Sequence, residues 1–345
     1  MSPYILFIML MSLGLGTTLT FASSNWFLAW MGLEINTLAI IPLMARHHHP
    51  RAVEAATKYF ITQAAAAALL LFAGLMNAWQ SGQWIIQDMS MPTSALMTLA
   101  IAIKLGVAPM HFWLPEVMQG ITLNTGLILA TWQKLAPLAL LYQISNNLMP
   151  ELMIILGLTS TFIGGWGGLN QTQIRKIMAY SSIAHLGWII SIMHFMPTLA
   201  IINLIIYIIM TTTMFMTFNV TNSTSISTLA MNWSKFPTLS AITMLALLSL
   251  GGLPPLSGFL PKWLILQELT NQGLMPTATM IALSALLSLY FYLRLSYSLT
   301  TTVTPNTHAQ TLNWGTKTKT SFILPVVMVM TITMLPISPS IISLF

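Results

Sequence analysis

Long apolar runs separated by short polar interruptions make up nearly the whole chain. "AAAAALLLFAGLMNAW" (64–79) is typical, with no alternation of facing. A helix needs about 20 apolar residues to cross a bilayer. Hydropathy predicts about eleven such spans, at 3–21, 25–44, 57–79, 93–118, 123–143, 151–169, 175–195, 198–219, 237–268, 274–298 and 322–342. A membrane β-barrel would instead show alternating segments of about 10 residues. The fold class is therefore an all-α polytopic membrane protein, one membrane domain over 1–345 with no separate soluble part. The longest polar stretch, 300–320, is rich in Thr and Asn and reads as a solvated loop.

Two runs are interrupted in a way that apolar helices avoid. "KLGVAPMHFWLPEV" (104–117) places a lysine, a glycine, two prolines, a histidine and a glutamate inside one span. An interior proline costs about 3 kcal/mol, and a lysine at the bilayer centre about 3 kcal/mol on insertion scales. "SLGGLPPLSGFLPKW" (249–263) repeats the pattern. Leu105-Gly106 pairs with Leu250-Gly251, and Leu114-Pro115-Glu116 with Leu260-Pro261-Lys262. The copies lie about 145 residues and five spans apart, so the second crosses the membrane in the opposite sense. Two inverted repeats, 1–145 and 150–300, followed by a polar loop and last helix over 301–345, are expected. Hinges are expected at 106–109 and 251–255. Paired interruptions of this kind point to an ion or substrate path, because irregular backbone at membrane depth must be buried in protein or line water.

Charge tests the span count. Only 5% of residues are charged, against about 25% in soluble domains. Eleven spans put Arg46, Arg51, Lys58, Arg175, Lys176, Lys235, Lys317 and Lys319 on the side of the N-terminus. Asp88, Glu151 and Glu268 fall on the other side. The positive-inside rule then places the N-terminus in the cytoplasm or matrix. The net charge of +6 is scattered over loops and is no nucleic-acid signal. "ARHHHPR" (45–51) reads as a solvated loop on the basic side. The absence of cysteine excludes disulfides and thiolate-held metals or clusters. Neither a presequence nor a cleavable signal is expected, so the first span serves as the insertion signal.

Six charges remain within spans: Glu34, Lys104, Glu116, Lys134, Lys262 and Arg294. Arg294 and Glu116 lie close enough to the basic surface for snorkelling or rim roles. Glu34, Lys104 and Lys134 are mid-span, and Lys262 follows the second break. One acid cannot neutralise three lysines, and burial disfavours the charged form. Lysines that exist in both forms are proton-relay elements. Glu34 and Lys104 are expected to pair. His185, with Ser181 one turn away, and His111 in the first break are further relay candidates. His194 near a helix end reads as interfacial. "GGWGGLNQ" (164–171) lacks the ending of a phosphate loop, so its glycines are read as helix-packing positions. No dinucleotide fingerprint follows a strand.

"GLEINTLAIIP", "EAATKYFITQA", "KLGVAPMHFWLPEV", "TWQKLAPL", "GGLNQTQIRKIMAYSSIAHLGW" and "SLGGLPPLSGFLPKW" together resemble the antiporter-like membrane subunits of respiratory complex I, the NADH–ubiquinone oxidoreductase. The likeness runs through nearly the whole chain. It implies two inverted five-helix repeats, each with a broken helix. Fuller bacterial members have fourteen helices, and the chain lacks the first three. The resemblance further implies that Glu34 pairs with Lys104, Lys134 bridges laterally and Lys262 serves the second broken helix. Protons would enter from the matrix, cross at mid-membrane and leave to the intermembrane space. NADH, FMN, iron–sulfur clusters and ubiquinone belong, on this likeness, to other subunits, leaving no cofactor here. Implied partners are neighbouring antiporter-like subunits of the membrane arm and lipids, in the inner mitochondrial membrane with a matrix N-terminus. A stand-alone cation/proton antiporter and a structural scaffold are the alternatives. Few carboxylates beside many buried lysines argue against a dedicated sodium site, which needs oxygen ligands.

Overall fold

The computed structural model describes residues 3–46, 49–87, 89–300 and 322–342. His47, His48, Asp88, Lys317, Lys319 and the 301–320 part of the polar loop lie outside the described residues, as does the Lys235 side chain. The chain runs through α1 (Pro3–Ala22), α2 (Trp26–Met44), α3 (Pro50–Ser81), α4 (Met91–Leu105), α5 (Trp113–Gly120), α6 (Leu123–Ala130), α7 (Trp132–Gln143) and α8 (Pro150–Gly168). It continues through α9 (Ile174–Ile192), α10 (Pro197–Thr221), α11 (Ile226–Ala230), α12 (Asn232–Lys235), α13 (Pro237–Gly251), α14 (Phe259–Asn271), α15 (Met275–Thr300) and α16 (Ile323–Ile342). Among the described residues no strand forms; two isolated bridges, Asn25 with Ile85 and Gln173 with Ser225, pin loops. α1, α2, α3, α10 and α15 are long and apolar enough to cross a membrane, while α4, α13 and Ile323–Ile337 of α16 are shorter apolar helices.

Contacts divide the chain into two compact units, Met1–Ser160 with Ile190–Pro197 and Thr161–Ile189 with Thr198–Phe345. In the first, α1 crosses α2 where both are glycine. A β-carbon on Gly16 would stand 2.9 Å from the Gly32 carbonyl oxygen, and one on Gly32 would stand 2.9 Å from that of Gly16. α3 begins with His49 accepting the Arg51 amide at 3.2 Å, followed by proline in the first turn. The last histidine of "ARHHHPR" is thus a helix cap rather than a plain loop residue. In the second unit, "GGWGG" closes α8 onto its neighbours. An added β-carbon would lie 2.6 Å from the Ala184 nitrogen at Gly164, and 2.8 Å from side-chain atoms of Leu287 at Gly165 and of Phe291 at Gly168. The helix-packing reading of that motif holds.

Both interrupted motifs are breaks between half-helices. α4 and α13 each have 15 residues and end on a left-handed glycine, Gly106 (φ 75°) and Gly252 (φ 77°). Each end closes in the same way. Val107 donates to Ala102 at 3.0 Å, and Leu253 to Leu248 at 3.3 Å. Cis peptide bonds precede Pro109 and Pro255. Gly106 answers to Gly252, Pro109 to Pro255 and Pro115 to Pro261, always 146 residues apart. This corrects the pairing of Gly106 with Gly251, since the second motif carries one more helical residue before its turn. It also separates the two lysines. The counterpart of Lys104 is Leu250, and Lys262 stands opposite Glu116 on the far side of the break.

The 123–143 run, expected to be one span, is interrupted between α6 and α7. Pro137 has no amide to offer the carbonyl of Gln133, four residues back. Thr131 stands between the two helices (φ −113°, ψ −68°), its amide still bonded to the Leu127 carbonyl at 3.0 Å and its hydroxyl turned to the same carbonyl at 2.7 Å. Lys134 therefore lies in the first turn of a new helix.

Gly252 and Gly273 form a natural pair for a test. Both have positive φ, but a β-carbon at Gly252 would lie 2.8 Å from Lys262 Cδ, whereas Gly273 has nothing within 4 Å. Gly273→Ala should cost about 1 kcal/mol of backbone strain. Gly252→Ala should cost clearly more, read as a lower midpoint for thermal loss of the folded chain in detergent. Equal midpoints would mean that the contact with Lys262 exerts no constraint.

Candidate functional site

Lys104 occupies the last turn of α4, where the partial negative charge of the helix end favours an ammonium. Its side chain is only 6% exposed, and Nζ has no hydrogen-bond partner. Glu34 on α2 likewise has a buried Oε2 without a partner. The two charges act on each other through space. No ion pair within 4.0 Å joins Glu34 to Lys104, so the two do not make the direct contact expected.

Lys104 and Lys134 instead share a cavity of about 20 Å³ in the first unit. Asn36 and Thr37 from α2, Tyr59 and Gln63 from α3, Trp113 from α5 and Gln133 from α7 complete its polar and aromatic lining. Lys134 is 3% exposed. Neutral amides hold the walls. Gln63 Nε2 donates to the Lys104 carbonyl at 3.5 Å, and Gln133 Nε2 to the Asn36 carbonyl at 3.4 Å. The indole of Trp113 donates to the Ile103 carbonyl at 3.1 Å and meets Tyr59 edge-on at 5.6 Å. The cavity is about the size that admits one water. Side chains that can hold or pass a proton thus face a polar pocket walled by Leu33, Leu105, Leu114 and Leu129.

Sequence reasoning named the lysines but not Asn36, Gln63 or Gln133. Each is a neutral amide inside an apolar run. The cost of burying an amide was a readable signal, weaker than that of a charge.

The other site residues have different surroundings. His111 is buried, and its Nδ1 lies 3.2 Å from the Pro109 carbonyl, so it braces its own turn and does not line the cavity. In the second unit, Lys262 Nζ donates to the Gly251 carbonyl at 2.8 Å and stands 6.0 Å from the Trp188 ring centre. His185 is buried with its ring 5.4 Å from that of Tyr207. Arg294 donates to the Leu169 carbonyl at 2.7 Å, just past the end of α8. Glu116 meets the exposed Lys58 at 2.8 Å, and Lys58 also holds Glu54 at 2.7 Å. That is the rim role. His194 Nδ1 lies 3.1 Å from the Ser145 carbonyl. Among the described residues, no three His, Asp or Glu side chains gather to hold a metal ion.

Paired half-helices among apolar spans, with buried lysines beside the breaks, are the features of a polytopic membrane protein of the ion-translocating class. Residues 23–288 match the family described as NADH:quinone oxidoreductase/Mrp antiporter, TM, and residues 289–342 match NADH dehydrogenase subunit 2 C-terminus. The chain belongs to the NADH:quinone oxidoreductase/Mrp antiporter transmembrane family. It is 86% identical over 345 residues to NADH-ubiquinone oxidoreductase chain 2 of Polypterus ornatipinnis, covering 100% of both chains. Identity to the protein of the same name from Carassius auratus is 61%, covering 100% of this chain and 99% of that one. Its fold matches a chain of respiratory complex I from Thermus thermophilus with bound aureothin at a TM-score of 0.84 and 24% identity, over 97% of this chain and 80% of that one. A chain of the Mrp complex from Dietzia sp. DQ12-45-1b matches at 0.77 and 19% identity, over 84% of this chain and 60% of that one.

Trp113→Phe keeps the ring packing but leaves the Ile103 carbonyl without its indole donor. The carbonyl keeps the Gly106 amide at 3.1 Å, so the loss is that of one net hydrogen bond, about 1 kcal/mol. The substitution should lower thermal stability and raise protease nicking between α4 and α5. Unchanged nicking would show that this carbonyl does not depend on the indole.

Proposed function

We propose that the chain is a proton-translocating membrane-arm subunit of an NADH:ubiquinone oxidoreductase in the inner mitochondrial membrane. Electron transfer from NADH to ubiquinone belongs to other subunits, together with the flavin, clusters and quinone it needs. The observation that carries this reading is the polar cavity shared by Lys104 and Lys134. Glu34 supplies the charge that Lys104 feels, Lys134 passes the proton laterally, and Lys262 takes it up in the second repeat. His185, and less centrally His111, serve as further carriers. The wider frame is the eleven-span plan, with repeats over 1–145 and 150–300, a matrix N-terminus and neighbouring antiporter-like subunits. The family membership and the relatives' names support it.

A stand-alone cation/proton antiporter is the second reading, favoured by the likeness to the Mrp chain. An alkali cation needs a cage of oxygen ligands. The cavity sets two lysine amines among neutral side chains and offers no carboxylate, which disfavours that reading.

Methionine keeps the length of a lysine side chain but carries no proton, and arginine does not release one at accessible pH. Lys134→Met should therefore leave assembly and NADH oxidation by the soluble arm intact. Quinone reduction and proton uptake should fall together, by about 10²-fold if the lysine acts as the proton carrier. Lys134→Arg should also impair both. The measurement is NADH:quinone turnover and proton uptake in reconstituted vesicles, with assembly followed on native gels. Wild-type pumping by an assembled Lys134→Met complex would return Lys134 to a structural role.

A further inference from the structure

Asn36 is the odd member of the cavity. Its side chain is 2% exposed, and neither Oδ1 nor Nδ2 has a hydrogen-bond partner. A buried amide in that condition costs several times what an exposed one does. If Asn36 only filled space, leucine would fill it at lower cost. Its placement is also enforced from outside the cavity. On α1, a β-carbon at Gly16 would lie 2.8 Å from Asn36 Cγ and closer still to Oδ1. Only glycine at position 16 leaves the amide where it stands, lining the same space as Lys104 and Lys134.

We propose that Asn36 is a positioning residue of the relay: its amide, set by the bare backbone of Gly16, holds a water-sized proton carrier in the cavity between Lys104 and Lys134. The inference rests on the relay reading above. An amide suits this task because it offers an acceptor and donors on one planar group without titrating. Oδ1 takes a hydrogen from the guest and Nδ2 donates to its oxygen. Lys104 Nζ, itself without a protein partner, gives or receives the transferred proton. The cavity of about 20 Å³ has room for one such guest and no more. A single-occupancy site between two lysines makes transfer stepwise, with one proton crossing before the next can enter. No bond other than O–H and N–H changes, and the amide returns to its starting state after each passage.

The test compares Asn36→Leu, Asn36→Ser and Gly16→Ala in the assembled complex. Asn36→Leu removes an unpartnered polar group at similar volume, so a purely structural Asn36 predicts equal or better thermal stability with normal coupling. The positioning role predicts assembled complex with proton uptake and quinone reduction down about tenfold or more, the scale of one lost hydrogen bond to a charged group. Asn36→Ser, which keeps a hydroxyl, should recover part of that loss. Gly16→Ala also crowds the Gly32 carbonyl across α1 and α2, so it should reproduce the loss only as a supporting arm, read in complex whose assembly and thermal stability are unchanged. A second readout does not depend on turnover. High-resolution electron cryomicroscopy of the wild-type complex should show an ordered non-protein peak within hydrogen-bond distance of the Asn36 amide, absent in Asn36→Leu. Normal coupling in assembled Asn36→Leu, or no such peak where other buried waters are resolved, would overturn the proposal. If Lys134→Met impairs pumping while Asn36→Leu does not, this proposal fails alone. If neither variant has an effect, the relay reading fails with it.

Discussion

The rest of this architecture depends on how the chain answers for a helix that stops inside an apolar interior. A broken helix exposes carbonyls that hydrocarbon cannot solvate, each costing several kcal/mol if left alone. At the first break the Ile103 carbonyl takes the Trp113 indole, and at the second the Gly251 carbonyl takes the Lys262 ammonium. The two breaks share length, glycine geometry and proline positions, and they differ in which carbonyl takes a side chain and in who supplies the hydrogen, since Ile103 corresponds to Ser249 and Gly251 to Leu105. Where a neutral indole does so, Lys104 keeps its ammonium free of hydrogen bonds at the cavity. Where an ammonium does so, that lysine is already engaged with backbone. The same turn therefore yields an available cation in one unit and an occupied one in the other.

This contrast bears on how a proton moves. A lysine bonded to a helix end holds its carbonyl less strongly when it gives up its charge, and the negative helix end opposes that loss. Lys104 is also near such an end, but its nitrogen makes no hydrogen bond to the backbone. The amides of Gln63 and Gln133 fasten α3 to α4 and α7 to α2 around it. They fix the walls without adding charge.

Much of this was legible in the chain. The costs of prolines and lysines in apolar runs marked both breaks and three of the buried cations. The glycines of 164–168 announced close helix contacts, and Glu116 and Arg294 were legible as residues near the basic surface. The register of the twin motifs was not. "SLGG" offers two glycines, and only the left-handed turn at Gly252 shows which one ends the helix. The interruption at Thr131 was also hidden. Pro137 is there to be read, but a proline can bend a helix without ending it, and the bond of Thr131 back to its own turn also occurs inside unbroken helices, as at Thr62 and Thr211. The Glu34–Lys104 pair was overstated. A shared need for neutralisation does not fix a contact, and in the structure the two interact at a distance. Asn36 escaped notice because uncharged polar residues are ordinary in membrane helices until their surroundings are known.

The length of α3 carries one more consequence. Its 32 residues extend about 48 Å, well beyond a hydrocarbon thickness of about 30 Å. Its first turns carry Glu54 and Lys58, both substantially exposed. An overlong helix can lean, or it can stand proud of the lipid. A charged first turn favours standing proud, since it cannot sink without dragging Lys58 and its two carboxylates into oil. Because Lys58 grips Glu116 on α5, the half-helix beyond the first break is moored to the lipid surface by the same charges. The depth of that break is then set against the headgroups, as a float sets the depth of a line.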